Sequence, residues 1–373
     1  MYKKNIINNL INKLISIVLI FSLFNTPYAV ADDNNRKWKP SADEFDWVQL
    51  TSGEWLKGEI KSMYNESFEF DSDKLDVLNI DLEDINYLQS FLPAHVNLEH
   101  VGEVTGVLNI SGDQLTVTQG DIVKKYNIIE LISFTPAGNG EMDLWAIKFT
   151  LGIDLRKGNT EQIDFTSALA AKRRTAKSRL KIDYLGNISK TDALGGELEE
   201  TVNNHRLNAS LDKYVTRNFF YTPIFVEYYR DIFQNIEKRL TAGIGIGYTI
   251  INTPKTEWNV SSGPSYLSTK YVSVLPGEEL EVDSGSLALT TNVDIEINNK
   301  IDFIYKYNIQ LSSEEAGGYT HHMIATFENE LTSEFDLDVS FVWDRINSPT
   351  IDDRGEEPEP DDLRFVLGVS YSY

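Results

Sequence analysis

From Met142 to the end of the chain, apolar and polar positions alternate in segment after segment. In the last of them Leu363, Phe365, Leu367, Val369, Tyr371 and Tyr373 share one face, against Arg364, Gly368, Ser370 and Ser372 on the other. Earlier, Phe335, Leu337, Val339, Phe341 and Trp343 oppose Asp336, Asp338, Ser340 and Asp344, and Ile301, Phe303, Tyr305, Tyr307, Ile309 and Leu311 oppose Asp302, Lys306, Asn308 and Gln310. A period of two belongs to strands with unlike faces. Twelve such segments are predicted, near 144–155, 161–173, 177–188, 202–213, 218–229, 238–250, 256–264, 284–297, 300–311, 319–330, 334–344 and 361–373. The seventh is the least regular and is taken to end at Pro264, because proline cannot donate to a ladder.

Twelve is an even number, as bacterial single-chain outer-membrane barrels require, and strands of ~9–11 residues suffice to cross a bilayer at a tilt. Connection lengths point the same way. The even-numbered connections, 174–176, 214–217, 251–255, 298–299 and 331–333, are short, whereas 189–201, 230–237, 265–283 and 345–360 among the odd ones are longer. Barrels of this kind have short periplasmic turns and longer external loops. A soluble β-sandwich also alternates, but it buries its apolar face against a second sheet and needs no such run of hairpins.

Ahead of this region one pattern occurs twice. Val48, Leu50, Gly53, Glu54, Gly58, Ile60, Phe68, Phe70, Ile80, Leu82 and Ile85 form the first copy; Val96, Leu98, Gly102, Glu103, Gly106, Leu108, Leu115, Val117, Ile128 and Leu131 form the second. The copies are offset by ~47 residues, and two are too few for a solenoid. Each reads as strands broken by glycine and joined by polar turns such as Ser111-Gly112-Asp113, so 45–136 is expected to be a compact pair of small β units. The segment 136–140, Pro-Ala-Gly-Asn-Gly, ends it as a break.

The chain opens with Lys3, Lys4 and Lys13, an uncharged run of 11 residues from Leu14 to Phe24, and Ala29-Val30-Ala31. This is the layout of a secretory signal, with 1–31 removed and 32–44 left as a polar linker. The run is too short for a membrane-crossing helix, which needs about 20 residues. Net charge is -23 over 373 residues, and removing a segment with three lysines and no acids makes it more negative. An acidic chain is unsuited to nucleic acid, which is bound through a basic face. Cysteine is absent, which excludes disulfides, thiol nucleophiles and Cys-ligated metal.

The fold class expected is therefore all-β: a 12-stranded antiparallel transmembrane β-barrel over 142–373, preceded by a small periplasmic β-domain of two repeated units. Its place would be the outer membrane of a Gram-negative cell, with outer-membrane lipid and the barrel-insertion machinery as partners. The final strand ends on an aromatic residue, like the C-terminal signal which that machinery reads.

Candidate chemistry is concentrated on the polar face of the strands. Lys148, Asp154, Asp164, Lys181, Asp183, Arg206, Asp294, Asp302, Lys306, Asp336, Asp338 and Arg364 are expected to face the lumen, with Lys172, Asp212, Glu296 and Asp344. Such charges either select small solutes in a hydrated pore or pair across a narrow barrel and close it. The closed form is the expectation, with an envelope structural, adaptation or binding role; a narrow channel is the alternative. The stretch 352–362 holds seven acids and one base, and is expected to be a solvated, extended loop rather than a site where divalent cations bridge to lipid.

Asp71-Ser72-Asp73 with Asp76 lacks the glycine and glutamate of a calcium loop. His321 and His322 point to opposite faces of one strand and cannot chelate together. A lipid hydrolase would need a Ser-His couple; His321 is expected to face lipid, Ser340 faces inward, and no Gly-x-Ser-x-Gly elbow is present. No enzyme activity, cofactor or metal is expected.

Several stretches together are similar to one family. They are Arg156-Lys157-Gly158-Asn159-Thr160; the block from Phe219-Phe220 through Tyr228-Tyr229-Arg230-Asp231-Ile232-Phe233-Gln234-Asn235-Ile236, followed by Arg239, Thr241, Gly243, Gly245, Gly247 and Tyr248; Gly263-Pro264-Ser265-Tyr266; and Trp343-Asp344-Arg345-Ile346. Over roughly 142–373 the chain resembles the salt-induced outer membrane proteins, a group of unknown function. The resemblance implies the location and the barrel. It implies no substrate and no catalytic residues.

Overall fold

The computed structural model describes residues 44–138, 140–156, 161–192 and 197–372; the signal segment expected at 1–31 and the linker up to residue 43 lie outside the described residues. Among the described residues no helix is long and apolar enough to cross a membrane, so any crossing is made by strands.

The front sheet is built from β1 (Asp46–Leu50), β2 (Trp55–Tyr64), β3 (Ser67–Ser72), β4 (Asp76–Asp81), β5 (Ile85–Leu98), β6 (Gly102–Ser111), β7 (Gln114–Gln119), β8 (Ile122–Asn127) and β9 (Leu131–Pro136). Their order is β4-β3-β2-β1-β5-β6-β7-β8, with β9 paired to β2 and β5. The long β5 joins the two copies. Its first half pairs with β1 from the first copy, and its second half, Ala94 to Leu98, pairs with β6 and β9 from the second. A 3-10 turn precedes the last strand of each copy, at Leu82–Asp84 and at Ile128–Glu130.

The two repeated glycines have a steric cause. A Cβ on Gly58 would lie 2.0 Å from the Asp71 carbonyl oxygen, and one on Gly106 would lie 2.5 Å from that of Thr118. At each site one strand bends across its neighbour closer than any side chain permits. The bend lets both copies send apolar residues into one core, where Phe68, Phe70, Leu88, Leu98, Leu108, Leu115 and Phe134 are fully buried. Asp46 is buried at its edge, accepting from the backbone N–H groups of Ile60 and Phe91 at 2.6 Å each. Burial pushes its carboxyl pKa up, against the pull of those two donors.

The second sheet is a closed barrel of β10 (Trp145–Arg156), β11 (Glu161–Thr175), β12 (Ser178–Asp192), β13 (Glu199–Tyr214), β14 (Phe219–Asp231), β15 (Ile236–Thr253), β16 (Thr256–Tyr271), β17 (Glu281–Asn298), β18 (Ile301–Leu311), β19 (Tyr319–Glu330), β20 (Phe335–Ile346) and β21 (Asp361–Ser372). Antiparallel pairing of β10 with β21, from Lys148↔Ser372 to Leu151↔Val369, closes it. Closure leaves no free edge, the condition for strands to stand in hydrocarbon.

The seventh barrel strand departs from expectation: β16 runs through Pro264 to Tyr271. Its ladder to β15 keeps register while skipping the rungs between Gly243↔Ser265 and Ile246↔Ser262, so the missing proline N–H removes a rung and leaves the strand intact. Gly263 lets the chains draw together there, because a Cβ on it would fall 1.8 Å from the Ile244 carbonyl oxygen.

Side-chain direction follows the period of two. On β21 the outward Leu363, Phe365, Leu367 and Val369 are 61, 72, 57 and 51% exposed. Among the described residues no second sheet covers them, unlike the apolar face of a sandwich. Outward aromatics gather toward one end, where His321 stacks between Tyr307 and Trp343 at ring separations of 5.9 and 5.4 Å. Toward the other end Phe335 meets Tyr371 at 5.4 Å.

Candidate functional site: the barrel lumen

Because paired residues share a face, the inward set can be read from the registers. It includes Lys148, Asp164, Lys181, Asp183, Arg206, Asp294, Asp302, Lys306, Asp336, Asp338 and Arg364. The backbone of Asp154 pairs with Asp164, and its side chain lies outside the described residues.

These charges meet one another across the barrel in tiers. In the tier nearer the longer loops, Arg206 of β13 binds Asp344 of β20 at 2.9 Å and Glu227 at 2.9 Å. Arg364 of β21 binds Asp344 at 2.5 Å and reaches Asn204 of β13 at 2.7 Å. His322 adds a 2.7 Å contact to the same Asp344 carboxylate, and the Arg206 guanidinium lies 4.1 Å from the Tyr229 ring centroid. Strands β13 and β20–β21 are far apart in barrel order, so both arginines span the lumen. The void between Arg206, Glu227, Tyr229, Arg239, Gln310 and Asp344 is about 20 Å³, room for about one water.

Below this tier Lys306 of β18 crosses to Asp183 of β12 at 2.6 Å. Lower still, Arg179 of β12 binds Glu257 of β16 at 2.5 Å and Asp212 at 3.1 Å, while Arg174 reaches Glu257 at 3.1 Å. Lys181 joins Asp212 at 3.2 Å. On the opposite wall Lys148 lies 2.9, 3.1 and 3.2 Å from Glu328, Asp336 and Asp338. Asp164 accepts from Gln162 at 2.8 Å and from Ser189. Asp294 and Asp302 form no hydrogen bond or ion pair among the described residues, and stand by register beside Glu257 and Glu328 respectively.

At the end with the longer loops the described residues pack inward from β14 to β17 and from β20. Inward Tyr229, Ile236, Tyr271 and Ile346 form an apolar cluster with Val274 and Val282. Above it Asn235, held at φ 58, donates to the carbonyls of Ser273 at 2.8 Å and Thr350 at 3.0 Å, and Arg239 donates to that of Ala316 at 3.0 Å. The acidic stretch expected to be solvated and extended is largely exposed, as expected, but its start, Asp352 to Glu356, folds into a turn. Asp352 is 8% exposed and accepts from the N–H groups of Arg354 and Glu356 at 2.9 and 2.8 Å, so turn donors and Arg354 balance like-charge repulsion. Those contacts hold its pKa below the usual range, the backbone hydrogen bond from Glu356 first.

The glycines of β15 belong to the same interior. Gly243 and Gly247 face inward beside Phe225 and Phe220, whose rings would sit 2.4 and 2.1 Å from an added Cβ. The rings therefore lie flat over bare backbone, narrowing the bore. The Ser-His couple considered for a hydrolase is not assembled: Ser340 hydrogen-bonds Thr326 inside the barrel at 2.8 Å, and His321 contacts the Tyr307 hydroxyl outside at 2.7 Å.

Sequence reasoning missed Glu257, Arg174 and Arg179. Arg179 was legible, since it shares the parity of Lys181 and Asp183. Arg174 fell in a supposed turn, and Glu257 lay on the irregular seventh strand.

A family model, "Protein of unknown function, DUF481", matches residues 149–373. The chain belongs to this family. No curated protein matches it. Among solved structures, the NanC porin is 9% identical, with 61% of this chain and 98% of that one covered and a TM-score of 0.35. The outer membrane channel DcaP of Acinetobacter baumannii is 11% identical, with 88% and 94% covered and a TM-score of 0.29. Scores so low carry nothing over from those proteins about activity. This member's own lumen is the guide to what it does.

Proposed function

We propose that this protein is an outer-membrane barrel whose bore is held shut by its own ion pairs, so that its role in the envelope is structural or binding rather than free passage of solute. The observation that carries this is the spanning of the lumen by Arg206, which reaches Asp344 from β13, and by Arg364, which is held on Asp344 and reaches across to Asn204. Charges that are paired, hydrogen-bonded and shielded at low dielectric hold each other far more firmly than surface pairs do. The uncovered apolar band and its aromatic ends support the membrane location, and short turns on the front-sheet side support a periplasmic front domain. The salt-response label implied by the resemblance gains no support from any residue.

A narrow channel keeps one observation in its favour. In the lower bore Lys172, Arg174, Arg179 and Lys181 stand on β11 and β12, while Asp294, Asp302, Glu328, Asp336 and Asp338 stand on β17 to β20. Asp183 and Asp212 stand among the first group and Lys148 and Lys306 beside the second, so the signs are separated in part, and such a bore would select solutes if the upper tier opened.

Flotation and swelling of proteoliposomes test both parts together. The expected result is protein that floats with lipid and liposomes that do not swell in small sugars. Floating with swelling would establish the channel, and failure to float would remove the membrane reading.

A further inference from the structure

We propose that the β2–β3 hairpin of the front domain is a releasable stopper seated in the lower mouth of the barrel, with Arg217 as its latch; this rests on the closed-lumen reading. The hairpin turns through Asn65 and Glu66 at φ 52 and 60, the tight reversal that lets two strands end in a narrow tip. At that tip Asn65 donates to Glu257 at 2.5 Å, and Arg174 lies 5.0 Å over the Tyr64 ring. Glu257 is the carboxylate that already holds Arg174 and Arg179. Seating the hairpin and closing the lowest tier of the bore are thus one network.

The latch lies on the turn between β13 and β14. Arg217 donates to the carbonyls of Leu131 at 2.9 Å and Ile129 at 3.1 Å and pairs with Glu66, while its own N–H donates to Glu99 at 3.1 Å. One barrel residue therefore grips both copies of the repeat. A guanidinium suits this task because its donors are spread in a fixed plane.

Two further observations make the seat one that can be left. The front domain's buried apolar cluster runs from Val48 to Phe134 and takes no residue from the barrel, so the domain keeps its core when it moves. The seam contacts above are polar, and Tyr64 Oη, Arg174 Nε and Asn252 Oδ1 are buried without hydrogen-bond partners among the described residues. Unsatisfied groups favour the separated state, in which water reaches them. Release would bare Arg174 and Arg179 to the periplasm and leave Glu257 as their partner.

The chain has no cysteine, so single-cysteine reporters test this cleanly in the refolded full-length protein. Ala176, 1% exposed and receiving a 2.6 Å hydrogen bond from Ser133 of the front domain, reports the seam as Ala176→Cys. Asn292→Cys, one inward position above the Glu257 tier, reports the bore. Reaction with a charged methanethiosulfonate should be slow at both. Adding Arg217→Ala should speed Ala176→Cys by at least about tenfold. If that variant fails to fold, Glu66→Ala with Glu99→Ala removes the latch from the other side and should give the same rise. An unchanged rate at Ala176→Cys in every folded unlatched variant would overturn the stopper. Fast reaction at Asn292→Cys in the otherwise unaltered protein would instead overturn the closed lumen.

Discussion

Asp344 shows how much one residue can hold when its neighbours come from several strands. Its carboxylate takes Arg206, Arg364 and His322, so replacing it leaves Arg206 with Glu227 alone and Arg364 with only the longer contact to Asp362 at 3.5 Å. Removing one partner of a buried ion pair costs about 3–5 kcal/mol. Asp344→Ala should therefore lower the unfolding free energy of the refolded barrel by about 3–5 kcal/mol, read as a lower urea midpoint at unchanged slope, whereas an unchanged midpoint would show that solvent already screens the cluster. Glu141 is a contrasting case at the barrel's entrance. It binds Arg173 through both oxygens at 2.6 and 2.9 Å and receives the Trp145 N–H at 3.0 Å. Those hydrogen bonds, that from Arg173 first, bring its pKa down to about 2 from 4.5. A lowered acid contributes stability above its unfolded pKa and loses it as pH falls through the folded one. The melting difference between the natural chain and Glu141→Gln should be constant above pH 4.5 and vanish toward about 2; a difference independent of pH would remove the ion pair as its cause.

At the scale of elements, backbone proximity decides more than side-chain chemistry. Gly58 and Gly106 occupy equivalent bends in the two copies, and a methyl at either would meet a carbonyl oxygen of the facing strand. Gly58→Ala or Gly106→Ala should destabilise the front domain by about 3 kcal/mol, read as protease cleavage within it while the barrel stays folded. Equal protease resistance would mean that the strands separate at little cost. The strands themselves were legible because the bilayer-type pattern is strict: all twelve barrel segments appear, within a few residues at most ends. What failed was Pro264, where a rule about one missing N–H outweighed continuing alternation; Gly263 and the skipped rungs accommodate it. The shared strand β5 was also hidden, since a break at its middle reads as a boundary between copies when the chain in fact runs through.

For the molecule as a whole, parity puts the candidate charges on one face of each strand but does not give their partners. Lys306 and Asp183 lie 123 positions apart and Arg206 and Asp344 lie 138 apart. Which strands oppose each other depends on tilt and stagger, and no local pattern carries those. For the same reason the hairpin tip at Tyr64 and Asn65 read only as a polar turn, although it reaches Glu257, 192 positions from Asn65. The folded outer loops were missed because their order comes from turn donors and from Asn235, rather than from net charge.

The closed bore is the claim on which the rest depends, and planar-bilayer recording of the refolded protein tests it most directly. The natural chain should insert and carry no stepwise current, and because Lys306–Asp183 and Arg179–Glu257 also cross the bore, a variant with Arg206→Ala, Asp344→Ala and Arg364→Ala together should stay silent as well. Stepwise current from the natural chain itself would contradict the account.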